Sequence, residues 1–237
     1  MIHPTAVVHD SAVIDASAEI GAYAVIGEEV LIGEDVHVFP HAVIGRPPRT
    51  AGIVPPKEYV PGVLIGHGCV IGSHAVIYQG VRLAQNILIG DGAKIRENTT
   101  IGQDCVIGSN STLQNDVVLG NRVRVVDLSH ITAGVRVGDD VFWSVGVVSM
   151  NDNRNGTGLT APQIEAKAFI GGGAILLPGV TVGAEAIVAA GSVVTRDVDP
   201  RSRVQGVAAK PYYTRAYDDF HDLSYHGTPG PRTDEET

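Results

Sequence analysis

The sequence predicts an all-β fold: a parallel β-helix of hexapeptide repeats with two inserted loops and a short C-terminal tail. Three observations predict it. An aliphatic residue recurs at every sixth position over most of the chain, glycine commonly follows that residue, and the 237 residues include 29 Gly but only 4 Phe and 1 Trp. A period of six excludes an amphipathic helix, whose apolar positions recur at three and four, and is too long for simple strand alternation. It describes short straight segments with one inward aliphatic each, joined by turns and stacked coil on coil. A core nearly free of aromatics must then be built from small aliphatic side chains in a regular frame.

The first run of the repeat is Ile2, Val8, Ile14, Ile20, Ile26, Ile32, Val38 and Ile44. A Pro-rich loop at 46–62 interrupts it. The count restarts at Ile65 and holds every sixth place through Ile71, Ile77, Leu83, Ile89, Ile95, Ile101, Ile107, Leu113, Leu119, Val125, Ile131 and Val137. A second loop, 151–166, precedes the last run of Ile170, Leu176, Val182, Val188 and Val194. Glycine in pairs such as Ile71-Gly72 and Ile107-Gly108 encodes the turns, because it accepts backbone angles that a Cβ would forbid. Three hexads close a coil of about 18 residues, giving roughly eight or nine coils in a β-helix domain over 1–195. The extension 196–237 carries Tyr217, Asp218, Asp219 and Phe220, which suggest a short helix, and then becomes Gly-, Pro- and acid-rich.

Composition narrows the function classes. A formal net charge of -9 argues against non-specific nucleic-acid binding, which needs concentrated Lys and Arg. The two cysteines, Cys69 and Cys105, make neither a paired metal spacing nor a secreted disulfide framework, so a reducing cytoplasm is expected. With no signal pattern and no apolar run of membrane-spanning length, a membrane partner is not expected.

Residues 18 apart should stack on one face of the column, and four such hexads break the rule. Those of Ile77, Ile95, Leu113 and Ile131 carry Tyr78, Arg96, Gln114 and Thr132 where glycine is the habit, followed by Gln79, Glu97, Asn115 and Ala133. One face has therefore been given large polar side chains. It reads either as a subunit interface or as an interface that also binds substrate through Tyr78, Arg96, Glu97 and Gln114. Buried Arg96 and Glu97 need partners in both cases.

The opening Ile2-His3-Pro4-Thr5-Ala6-Val7-Val8 and the segment Ile95-Arg96-Glu97-Asn98-Thr99-Thr100-Ile101 resemble the lipid A UDP-N-acetylglucosamine acyltransferases. Asp140-Val141-Phe142 leading to Asn151-Asp152-Asn153, and the ending Gly206-Val207-Ala208-Ala209-Lys210-Pro211, resemble N-acetyltransferases that modify amino groups on nucleotide-linked sugars. The resemblance covers nearly all of Met1 to Thr195. It implies a left-handed winding, a homotrimer with active sites between subunits, acetyl-CoA as cosubstrate along the C-terminal coils, and a small nucleotide-linked amino sugar as acceptor. In the lipid A subfamily a catalytic His follows an earlier His by three residues. The matching stretch here, Ser129-His130-Ile131-Thr132-Ala133, has Ala133 in its place, and only about 40 residues follow the last hexad. Transfer from acyl carrier protein to a sugar hydroxyl is thereby disfavoured. O-acetylation, or N-acylation of another small molecule, would use the same mechanism.

N-acylation needs a neutral amine set against a thioester carbonyl, an acceptor for the departing proton, and donors for the oxyanion. His130 is the candidate base, since an imidazole with a pKa of about 6.5 suits proton acceptance near neutrality, and Asp127 is its nearest acid in sequence. The equal alternative is an interface hydrogen-bonder, with the CoA sulfur taking the proton. Asn151 and Asp152 in the second loop are candidates to hold the sugar or its amine. Arg46, Arg49 and Lys57 in the first loop would suit a pyrophosphate. Gly172 and Gly173, with Ala190 one coil on, expose backbone as an extended pantetheine arm requires, and Arg196, Arg203 and Lys210 supply cations for CoA phosphates. The remote alternative is a γ-class carbonic anhydrase-like lyase, which needs three His around zinc. Here His67 and His74, or His37 and His41, lack a partner near His130, so no metal is expected.

Overall fold

The computed structural model describes residues 1–50, 58–152 and 158–207. The chain winds as a left-handed parallel β-helix of about ten turns. Each turn contributes one short strand to each of three faces. The first face runs from Val7–Val8 to Val193–Val194 and the second from Val13–Ile14 to Thr181–Val182, with ten and nine strands. The third, again of ten strands, runs from Glu19–Ile20 to Arg203–Val204. Nearly all strands are two residues long, because a residue pair is all that the hexad leaves between corners.

Register follows the arithmetic of the repeat. Ile77 pairs with Ile95, Ile95 with Leu113 and Leu113 with Ile131, each eighteen residues on. The inward position of each strand is buried, and residues such as Ile77, Ile95 and Ile131 have no exposed surface. Burying each such side chain contributes about 1.5–3 kcal/mol, so the single stacked core carries the fold. At many corners a residue takes a left-handed backbone angle, often Gly, Asn or Asp, as at Asn98 (φ 59°), Asp116 (φ 58°) and Gly134 (φ 77°).

The solenoid is longer than periodicity alone shows. Trp143 and Ser149 occupy inward positions after Val137, and Ile164 does so within the stretch assigned to the second loop. Trp143 is fully buried and belongs to the core. It shares its coil with Ser149, so an oversized side chain is offset by a small one. The Ser149 hydroxyl accepts from the Thr132 amide at 2.9 Å. At the other end, Arg203–Val204 adds a third-face strand beyond residue 195. No helix among the described residues is long and apolar enough to cross a membrane.

Candidate functional site

Both insertions leave the column at the same corner, between the first and second faces. The first separates Val43–Arg46 from Val63–Ile65, and the second separates Val148–Ser149 from Gln163–Ile164. Between them lies a cleft of about 640 Å³. Pro48 and Thr50 wall it on one side and Leu159, Thr160, Ala161 and Gln163 on the other. Its floor is the corner itself: Arg96 and Glu97, then Asn115 and Asp116, then Ala133 and Gly134, with Asn151 at the top.

The floor is preorganised. Arg96 donates two hydrogen bonds to Glu97, Nε to Oε2 at 2.7 Å and Nη2 to Oε1 at 2.9 Å. Glu97 is only 2% exposed, and this paired, fork-to-fork geometry answers its need for a partner. The carboxylate in turn holds the Arg96 guanidinium still more firmly in its charged form. The Arg96 guanidinium also lies 4.8 Å from the Tyr78 ring centroid, and that of Arg46, one coil below, lies 5.2 Å from it. Asn115 donates to Asp116 at 2.7 Å and Asn98 donates to it at 3.2 Å. Asn151 Nδ2 donates to the Ala133 carbonyl at 3.2 Å, while its own carbonyl accepts from the Thr160 amide at 2.8 Å.

The walls are tied to the same floor. Gln79, buried, accepts from the Gly62 amide and donates to the Glu28 and Gly45 carbonyls at 2.9 and 3.1 Å, closing the base of the first insertion. Asn98 accepts from the Val60 amide at 3.1 Å and donates to the Glu58 carbonyl at 3.0 Å. Arg82 Nη1 donates to the Gly62 carbonyl at 3.0 Å. No buried side-chain nitrogen or oxygen among the described residues lacks a partner.

Of the residues singled out in the sequence, the structure brings Arg96, Glu97 and Asn151 into the cleft, with Tyr78 stacked against Arg96. Gln114 shares their face but does not line the cleft, and neither does Asp152. His130 lies on the first face, paired in register with Thr112 and Val148, half-buried and outside the cleft lining. Burial pushes its imidazole pKa down. Gly172 and Gly173 occupy the opposite corner of that face, with Ala190 one coil further on. A Cβ on Gly173 (φ 68°) would meet nothing within 4 Å, whereas one on Gly172 would meet Val145 at 3.3 Å. Arg196 lines a separate hollow of about 740 Å³ with Arg203 at the C-terminal end. Lys210, like Lys57, lies outside the described residues. Asp116, Gly134 and Gln163 were missed. Extending the 18-residue ladder one position, from Glu97 and Asn115 to Asn98, Asp116 and Gly134, would have found the first two. Among the described residues no three His, Cys, Asp or Glu side chains are grouped to hold a metal ion.

The model for "Bacterial transferase hexapeptide (six repeats)" matches residues 68–103, 80–115 and 161–196. Over these segments the chain is similar to the hexapeptide-repeat transferases. Two curated relatives are each named "Bifunctional protein GlmU". That of Cellvibrio japonicus is 34% identical over 60% of this chain and that of Heliobacterium modesticaldum 30% identical over 56%. The match spans about a quarter of the length of each, 26% and 24%. Among solved structures, an Arabidopsis UDP-N-acetylglucosamine acyltransferase superposes with a TM-score of 0.62 at 19% identity, covering 87% of this chain and 71% of its own. A further UDP-N-acetylglucosamine acyltransferase gives 0.53 at 18% over the same shares. At such identities the two superpositions speak for the shared β-helix.

Proposed function

We propose that this hexapeptide-repeat protein is an acyltransferase that moves the acetyl group of acetyl-CoA to the amino group of a nucleotide-linked sugar. One observation supports it most: the regular column is interrupted twice at a single corner, and the two insertions flank a cleft with a floor of hydrogen-bonded polar side chains. The names of the relatives and structural neighbours, acting on UDP-N-acetylglucosamine or called GlmU, point the same way. In this reading Arg96, Glu97, Asn115 and Asn151 orient the sugar, and Asp116 attracts the amine while it is still an ammonium. Tyr78 and Gln114 support that surface, and Asp152 stands beside it.

The residues of the opposite corner fit the donor. Gly173 leaves open space for an extended chain, Gly172 and Ala190 keep the edge low, and Arg196 with Arg203 would face the CoA phosphates. His130 lies on the face between the two corners. In a homotrimer, with a second copy against that face, the cleft of one chain and the glycine edge of another would form one site in the cytoplasm. The amine nitrogen attacks the thioester carbonyl, and collapse of the tetrahedral adduct breaks the C–S bond. The amine proton passes through His130 to the departing thiolate, leaving an amide and CoA.

The test is thiol release from acetyl-CoA with a panel of nucleotide-linked amino sugars and their hydroxyl counterparts. Release with at least one amine and none with its hydroxyl partner is expected. Release only with hydroxyl acceptors would make the protein an O-acetyltransferase, and no release with any of them would overturn the reading.

A further inference from the structure

The first-face ladder holds two guanidinium groups around one ring. Arg46 pairs in register with Tyr78 from the coil below and Arg96 follows from the coil above, with 5.2 and 4.8 Å to the ring centroid. The two arginines differ in what else they do. Arg96 is committed to Glu97 through both arms of its fork. Arg46 is exposed, and among the described residues no carboxylate pairs with it. Stacking fixes the plane of a guanidinium while leaving its N–H edge available, so Arg46 presents preoriented donors. Its carbonyl is held by the Gln79 amide at 3.0 Å, and Gln79 itself pins the base of the loop, so its position is fixed by the core.

Arg46 and Tyr78 do not line the cleft but lie below its Arg96 end on the same ladder, and Asp116 and Asn151 stand higher. From the Arg46 rung to the Asp116 rung there are three steps of the ladder, about 14 Å at ~4.8 Å per rung. That is more than one sugar ring can span, and it calls for an elongated acceptor with a cationic group at one end and an anionic one further along.

We infer that Arg46, held on Tyr78, is the anion subsite for the acceptor and takes its diphosphate while the amine lies near Asp116. The inference rests on the acceptor occupying the cleft proposed above. A diphosphate is also part of CoA, and the experiment separates the two sources. Binding of UDP, ADP, inorganic pyrophosphate and CoA is measured by calorimetry on the full chain and on Arg46→Met and Arg46→Lys. Arg46→Met should weaken UDP and pyrophosphate about tenfold or more, the loss expected for one charge-assisted contact, and leave CoA unchanged. Arg46→Lys should keep part of the affinity through its charge. With a turning-over acceptor, KM should rise by the same factor and kcat stay constant. Equal binding of UDP to the wild type and Arg46→Met, no binding to the wild type, or a loss confined to CoA would each overturn the subsite. If UDP binding depends on Arg46 while no amine is ever acylated, the subsite stands and the acyl-transfer reading falls.

Discussion

Replacing Glu97 by Gln probes the floor of the cleft most directly. The carboxylate accepts from both arms of Arg96 at 2.7 and 2.9 Å and is almost wholly buried. A glutamine of the same shape keeps one oxygen and turns an NH2 toward the second guanidinium arm, so one bond is lost and the other becomes an ion–neutral one. Two charge-assisted bonds of about 1.5–3 kcal/mol each would set an upper bound. Two effects reduce it: Arg96 is 32% exposed and water can replace part of the lost bonding, and removal of a buried carboxylate relieves its desolvation. We therefore expect about 1–3 kcal/mol of destabilisation, read as a fall of roughly 2–4 °C in the unfolding midpoint per kcal/mol. Calorimetry on Glu97→Gln, Arg96→Met and the double variant forms a cycle. The coupling should be about 1–3 kcal/mol, with the double variant less damaged than the sum of the singles. Additive single effects would refute the pair as a unit of the site.

Half-burial lowers the pKa of His130 below its ordinary value of about 6.5, so it should be neutral at pH 7. kcat should fall as pH drops through that lowered value and level off above it, and Asn at position 130 should flatten the acid limb and cost turnover more than binding. Stability carries the same sign: the unfolded chain binds the extra proton first, so the contribution of His130 is intact above about pH 6.5 and is lost as pH falls through the folded value. A pH-independent kcat, or full turnover in His130→Asn, would remove it as the base. Gly108→Ala should destabilise by about 1–3 kcal/mol, because its Cβ would lie 2.4 Å from the Asp127 amide nitrogen and 2.7 Å from the Val126 carbonyl carbon, so the next coil must shift. An unchanged unfolding midpoint would refute that reason.

The column was legible because its cause is one-dimensional. A residue such as Ile95 needs only its partners eighteen places away to be buried, and periodicity reports those partners directly. Periodicity failed where the inward residue was not aliphatic. Trp143 and Ser149 fill inward positions as a compensating pair, which a search for Ile, Leu and Val passes over, and the column resumes at Ile164, inside the loop expected over 151–166. The site was legible in part for the same reason. The loss of glycine at Tyr78 and Arg96 marked the right face, but Asp116 and Gly134 sit where Asn, Asp and Gly recur at ordinary corners to satisfy a left-handed angle. What raises those two above ordinary corner residues is the pair of insertions on either side, a relation that spans five coils.

Because the insertions leave and rejoin at one corner, the second should be removable without breaking the column. Val137 pairs with Ile164 across it, 27 residues on instead of 18, so nine residues are surplus to the repeat. Deleting 152–160 joins Asn151 to Ala161 and restores six positions between Ser149 and Ile164. The neighbouring coil places Gly134, with φ at 77°, three residues after its inward Ile131. Ala161 would fall at that place, and Ala161→Gly should accompany the deletion to meet the backbone angle. Pro162 would then stand where Val135 is buried, and it is already buried in the intact chain. A shorter connection costs less closure entropy, so the unfolding midpoint should hold or rise slightly. The cleft, however, loses Leu159 and Thr160 and with Thr160 the amide that holds Asn151. Acyl transfer should vanish while CoA binding at the far corner persists. Retained transfer in a folded deletion variant would show that the second insertion is no part of the acceptor site, whereas loss of folding would show that the corner is not the independent joint that its register indicates.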